Sequence, residues 1–365
     1  TASATDINLI DGITNGTVSA SKAIVSDANK DISGGRNITI TGELDAATLD
    51  ISGNTDIDGT LTLGSISNVE SSISTNSSNI STNSSAISTI NSTTIANFTS
   101  GSRIYSNSNN TAVGTASLSN LSSGDYNTAL GTNALYSNTS GIDNTGIGWK
   151  SLYSNTSGQY NTATGSASLY SNTSGARNTA SGYAVLYNNT TGSYNNAVGA
   201  QAMYSNTTGS YNIAIGNKAL FTNTTGSENT ATGHLALFLN TTGSANTASG
   251  YGALRSNTSG YRNTAIGYKV LYDNTSGVYN SAIGNQALTN NTTGSNNTAL
   301  GTSALVTNTT GSYNLASGYS ALDSNITGSK NAAVGYQALF ANTSGDFNTA
   351  IGVQSGISAT GSNNV

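Results

Sequence analysis

Cysteine and proline are both absent from these 365 residues, and histidine, methionine and tryptophan occur once each. Without cysteine there can be no disulfide, no thiol redox chemistry and no thiolate metal site, although this does not fix the compartment. With His234 alone, neither a catalytic triad nor a multi-histidine metal site can be assembled within one chain. Only copies of His234 converging on a shared axis could form an ion site.

Charge is scarce as well. Asp, Glu, Lys and Arg make up 7% of the chain and apolar residues 35%, a balance unlike that of an ordinary enzyme. The charge is also uneven, with ten acidic and four basic side chains in residues 1–109 against six and seven in residues 110–365. A nearly neutral second region has no basic stripe to neutralise phosphates, which argues against nucleic acid and anionic membranes as partners. No apolar run is long enough to predict membrane insertion. The absence of a starting Met and of a signal segment reads as an internal piece of a longer chain.

What is present is a repeat. Fourteen consecutive 17-residue units fill residues 110–347 without insertion or deletion, and an altered fifteenth begins at Asn348. Position 1 of the unit is always Asn, and position 5 is always Gly, as at Gly131. Position 9 is Leu, as at Leu135, with Met203 its one replacement in the complete units. Position 12 is Asn from Asn138 onward, after Leu121 in the first copy, and position 15 is Gly, as at Gly141. Invariance within one molecule means that each copy meets the same local geometry, which is the signature of a stacked solenoid.

Seventeen residues are too few for a helix pair, and Gly, Asn, Ser and Thr are weak helix formers, so each unit reads as one coil of a β-solenoid or β-roll. Two short strands per coil are predicted: Asn-Thr-Ala-Ile-Gly, as at 263–267, and Ala-Leu-Tyr-Ser, as at 202–205 with Met203 in the Leu place. Turns then fall on the two glycines, which accept positive φ without a Cβ clash, and Asn138 and its equivalents sit in such a turn. Stacking at roughly 4.8 Å per coil gives about 70 Å for the repeat region, with the Asn columns placed to hydrogen-bond as ladders. The Leu and Ala columns supply either the interior or a contact between protomers.

Few residues in the repeats carry chemistry. The acids Asp125, Asp143, Glu228, Asp273, Asp323 and Asp346 fall at scattered unit positions, whereas a glycan-cleaving fibre needs paired carboxylates. Asp125 and Asp143, one coil plus one residue apart, are the nearest approach to such a pair. No enzyme and no cofactor is expected. The recurring Asn-X-Ser/Thr triplet, as at Asn155-Thr156-Ser157, is formally a glycosylation acceptor, and its place in a repeated turn favours a structural role. The candidate recognition residues are tyrosines: Tyr136, Tyr153, Tyr170, Tyr187 and Tyr204 form a run at position 10. Stacked, they make either an exposed aromatic column for sugar faces or a packed one, and Phe221 and Phe238, which continue it without a hydroxyl, favour packing. Trp149 reads as a packing variant.

Ahead of the repeats, Ile66, Val69, Ile73, Asn76, Ile80, Asn83, Ile87 and Ile90 alternate at spacings of three and four, a heptad seam. Ser, Thr and Asn dominate the other places, so the helix needs sister helices to be stable, and its Asn layers would set register. Residues 1–65 carry short alternating stretches such as Asn37-Ile38-Thr39-Ile40-Thr41 and Thr60-Leu61-Thr62-Leu63, which read as a thin β shaft. The predicted organisation is a shaft at 1–65, a coiled-coil stalk at 66–97, a connector at 98–109 and the β-roll at 110–365.

The Asn-Thr-Ala-Ile-Gly core and the Ile-x-x-Asn heptads resemble the head and stalk of trimeric autotransporter adhesins, whose head repeat is usually shorter than 17 residues. The opening Ile7-Asn8-Leu9-Ile10-Asp11-Gly12-Ile13, continuing through Ser21-Lys22-Ala23-Ile24-Val25 and Asp31-Ile32, resembles bacteriophage tail fibres, the resemblance that weighs more. Together they imply a parallel homotrimer on a virion surface or outside a cell. It would act as spacer and attach to a host-surface glycan or protein, beside other virion or filament proteins. A cellular adhesin or filament protein is the alternative, and an ice-binding solenoid, suggested by the columns of Thr128 and Thr139, is a minor one. Neither resemblance transfers a receptor-binding residue.

Overall fold

A computed structural model describes residues 67–89, 103–107 and 109–365. The expected β shaft at 1–65 lies outside the described residues, as do Ile66, Ile90 and the remainder of the stalk.

The segment with the heptad seam is a helix, α1 (Ser67–Thr89), with Glu70 in its first turn, where the helix dipole favours an acid, and no basic residue in its last. Its polar positions support it weakly: Thr75 turns its hydroxyl back onto the Ser71 carbonyl at 2.8 Å, a bond that competes with helix geometry. Every residue from 70 to 88 is exposed. The seam residues Ile73, Ile80 and Ile87 are 61%, 66% and 58% exposed, and Asn76 and Asn83 are exposed alongside them.

The repeats form a parallel β-solenoid. A hairpin opens it, with β1 (Arg103–Asn107) antiparallel to β2 (Asn110–Gly114). Fourteen three-residue strands follow, from β3 (Thr128–Leu130) to β16 (Thr349–Ile351), one per coil, each paired parallel with the next in a single sheet. Register is strict at the 17-residue step: Thr128 faces Thr145, and Ala248 faces Ala265. Within each strand the central residue is buried and its neighbours point outward, so Ala129 lies inside while Thr128 and Leu130 lie outside. β1 covers the N-terminal edge of the sheet, which would otherwise offer unpaired groups to another chain.

Two expectations about the coil are corrected. The Ala-Leu-Tyr-Ser segment is a run of turns and not a second strand. Ala134 and Leu135 are consecutive and both fully buried, which the period-two alternation of a strand forbids. The chain achieves this by putting position 9 in the left-handed region, with Leu135 at φ 50 and Met203 at φ 52. For a residue with a Cβ that conformation costs roughly 1 kcal/mol or more; fully burying a Leu or Met returns about 1.5–3 kcal/mol. Coil-to-coil bonds persist through the turns, Leu135 N–H donating to the Ser151 carbonyl at 2.9 Å and Ser137 N–H to that of Tyr153 at 3.0 Å.

The second correction separates the two glycines. Position 5 is a positive-φ corner, with Gly131 at φ 133, as expected. Position 15 is not in the left-handed region; it is glycine because the coils approach too closely for a side chain. A Cβ on Gly141 would stand 2.3 Å from the Asn138 Oδ1 and 2.4 Å from the Gly158 carbonyl oxygen.

The interior is three mainly apolar columns, at positions 3, 8 and 9, with buried Ser117, Ser151 and Ser168 the polar members of position 8, so the Leu and Ala columns fill the coil itself. Two asparagine ladders flank them. At position 1, Asn127 donates its backbone N–H (2.8 Å) and a side-chain N–H (3.1 Å) to the Asn110 Oδ1, and its other side-chain N–H to the Gly141 carbonyl at 2.8 Å. At position 12, Asn155 donates to the Asn138 Oδ1 at 2.7 Å and to the Gly158 carbonyl at 3.1 Å. The position-15 carbonyl thus receives both columns and closes the coil. Among the described residues no buried side-chain polar atom lacks a partner, the condition that makes a polar interior tolerable. The shortened fifteenth copy keeps the ladder, because Asn364 donates its backbone and side-chain N–H to the Asn348 Oδ1 at 2.9 and 2.8 Å.

Candidate recognition surface

A constant step between coils brings identical side chains into register, and this is what builds the outer surface. Tyr136, Tyr153, Tyr170, Tyr187 and Tyr204 stack in sequence with ring centroids 5.2, 5.1, 4.9 and 5.1 Å apart and planes within 9° of parallel. The stack continues through Phe221 and Phe238, each step 5.3 Å. Arg255 then replaces a ring, its guanidinium 5.6 Å from the Phe238 centroid and 5.4 Å from that of Tyr272. The five tyrosines are half-buried. Because the rings face one another along the stack, the inner faces are covered, and the column presents edges and hydroxyls outward. Burial and the neighbouring Tyr170, Tyr204 and Tyr183 push the Tyr187 phenol above its ordinary value.

Two further columns are more exposed. At position 6, His234 stacks on Tyr251 at 5.7 Å and Tyr251 on Tyr268 at 5.4 Å. Lysines at position 7 bridge this column to the first: Lys150 Nζ lies 4.6 Å from the Trp149 ring and 5.3 Å from Tyr153, and Lys269 Nζ lies 5.4 and 5.5 Å from Tyr268 and Tyr272. At position 17, Arg177 lies between Tyr160 (5.0 Å) and Tyr194 (5.3 Å) and donates to the Tyr194 hydroxyl at 2.7 Å. Sequence reasoning missed these cation–aromatic stacks, although the signal was present as Arg or Lys in a column otherwise rich in Tyr.

Other singled-out residues are placed as follows. Asp125 and Asp143 lie on adjacent coils, with the Asp143 N–H donating to the Asp125 carbonyl at 3.0 Å. Among the described residues no three His, Asp or Glu side chains gather as a metal site, and His234 is an exposed stacking residue. The structural role favoured for the position-12 triplets is supported: Asn138, Asn155 and their equivalents are fully buried, with their amides engaged in the ladder. No helix among the described residues is long and apolar enough to cross a membrane.

Comparison with protein-family models, with curated proteins and with solved structures found no match. The class defined by the geometry is therefore the parallel β-solenoid repeat protein.

Proposed function

We propose that this chain is a structural segment of a homotrimeric fibre outside the cell, in first place a virion fibre of the phage tail-fibre kind, acting as stiff spacer and host-surface attachment element. The observation that carries the reading is the seam of α1. Ile73, Ile80 and Ile87 stand in line with Asn76 and Asn83 at coiled-coil spacing and more than half exposed, an arrangement that a single chain leaves uncovered and sister helices would bury. Stiffness is supported by the solenoid, in which backbone groups and two asparagine columns bind each coil to the next. Repetition along three chains would multiply weak surface contacts.

A cellular adhesin or filament protein uses the same mechanics, and flanking sequence separates the two readings. The ice-binding reading is less favoured, because the outward column at position 4 mixes Thr164 and Thr232 with Leu130, Val198, Ile215 and Ile283. The decisive experiment is the native mass of the 365-residue chain by sedimentation equilibrium, repeated with Ile80→Lys. A mass of three chains that falls on substitution supports the fibre; a monomeric wild-type chain refutes it.

A further inference from the structure

We infer that the solenoid carries a discrete sugar-binding notch at Ala245, shaped for one pyranose unit. The column at position 17 is otherwise built mainly of large side chains, and Ala245 interrupts it between Glu228 on the preceding coil and Arg262 on the following one. The gap is an open cavity of about 390 Å³ lined by Ser227, Glu228, Ser244, Ala245, Tyr261 and Arg262, a volume at the small end of the roughly 300–1,000 Å³ of small-molecule sites.

Tyr261 is the second anomaly. Position 16 is Ser in the coils on either side of this one and its neighbour, at Ser193, Ser210, Ser227, Ser244, Ser295, Ser312 and Ser329, and nowhere else is it aromatic. Those serines form a ladder: Ser210 N–H donates to the Ser227 Oγ at 3.0 Å and Ser227 N–H to the Ser244 Oγ at 3.1 Å. Tyr261 and Val278, neither with a hydroxyl at Cβ, break it, and it resumes only where Val278 N–H meets the Ser295 Oγ at 3.1 Å. Among the described residues the N–H groups of Ser244 and Tyr261 are left without an acceptor. The Tyr261 ring is braced edge to face against Tyr279, centroids 5.4 Å apart at 75°. Arg262 is fixed by one N–H to the Tyr279 hydroxyl at 2.9 Å, which leaves its other donors available.

The notch therefore combines a fixed aromatic ring, a carboxylate that only accepts, a guanidinium that only donates, and free backbone N–H groups. Its opposed charges lie two coils apart, roughly 10 Å by the strand spacing. A ligand that satisfies all of these has an apolar face for the ring and a rim of hydroxyls able both to donate and to accept, which is the chemistry of a pyranose. A small zwitterion would satisfy the charges and leave the ring unused. Unlike the stacked tyrosines of position 10, Tyr261 has no ring of its own column above or below it.

This deepens the attachment part of the proposed function, and its failure is separable from failure of the trimer. The test is ligand-observed saturation-transfer NMR on the full chain with the methyl glycosides of glucose, galactose, mannose and N-acetylglucosamine. Two variants use residues that the same unit positions already hold elsewhere, so folding is preserved. Ala245→Tyr fills the notch as Tyr194 and Tyr211 fill their coils, and Tyr261→Ser removes the ring and gives the Ser244 N–H a hydroxyl to donate to. At least one glycoside should receive saturation from the wild type and lose it by tenfold or more in both variants, each of which still unfolds in a cooperative melt. Transfer to none of the four, or transfer that persists in either variant, overturns the site. A trimer without saturation transfer sinks the notch alone; saturation transfer to a monomer sinks the fibre alone.

Discussion

Replacing Asn223 by Ala tests whether the buried ladder holds the coils together. Asn223 donates to the Asn206 Oδ1 at 2.7 Å and to the Gly226 carbonyl at 2.9 Å, and its own Oδ1 accepts from Asn240 at 2.8 Å. The Gly226 carbonyl keeps a second donor, Asn212, at 2.9 Å. Truncation therefore orphans two buried groups, the Asn206 oxygen and one Asn240 N–H. At about 1–3 kcal/mol each, the loss is roughly 2–6 kcal/mol. In a solenoid each coil touches only its neighbours, so the damage should remain local. Hydrogen-exchange mass spectrometry should show exchange around coils 206–240 accelerated by roughly 30-fold to 10⁴-fold, at tenfold per 1.4 kcal/mol. Asn138→Ala is the internal control. Leu121 precedes Asn138 in its column, so Asn138 donates within the ladder only to Gly141 and accepts only from Asn155. One orphan is created instead of two, and about half the free-energy effect is expected. Equal effects at the two sites, or less than about 1 kcal/mol at Asn223, would refute the reasoning.

Gly226→Ala should destabilise the stack by several kcal/mol without any change in φ preference, because its Cβ would stand 2.4 Å from both the Asn223 Oδ1 and the Gly243 carbonyl oxygen; denaturant melts would show it. Leu220→Ala should cost about 2–5 kcal/mol, while Leu220→Met should cost under about 1.5 kcal/mol, since Met203 already occupies the equivalent place fully buried. Asp323 is held above its ordinary 3.8 chiefly by burial, with a Ser320 hydrogen bond acting the other way. The folded chain thus holds this proton more tightly than the unfolded one, and stability falls as pH rises from 3.8 through the folded value. Asp323→Asn should therefore raise the melting temperature at pH 7, by less than about 1 kcal/mol equivalent after solvent screening, with the difference disappearing below pH 3.8.

The period, the strand at Asn-Thr-Ala-Ile-Gly and the paired asparagine columns were legible because invariance within one chain reports a repeated environment directly. The turn at Ala-Leu-Tyr-Ser was not. Its composition suits a strand, and only the simultaneous burial of Ala134 and Leu135 reveals a backbone that places Leu at positive φ, a choice that intrinsic propensity opposes. Gly141 was legible as special, but its reason, close approach to Gly158, is a contact between coils that no single unit contains. The tyrosine column was visible as a column. Which way its rings face depends on the spacing between coils. The notch at Ala245 left a trace as one small residue and one misplaced Tyr, meaningful only once their neighbours in space were known.

The asparagine ladder also has a direction. Each position-1 Asn donates toward the coil before it and accepts from the coil after it, so the carboxamides along the stack all point the same way. A finished coil thus offers an oxygen awaiting two N–H groups, a socket that the next 17 residues fill. For a chain emerging from the ribosome N-terminus first, each new unit carries the N–H groups that fit the open oxygen of the coil before it. The direction of the ladder thus matches the direction of synthesis, and gain or loss of one whole unit changes the length by a fixed step without disturbing the junctions on either side.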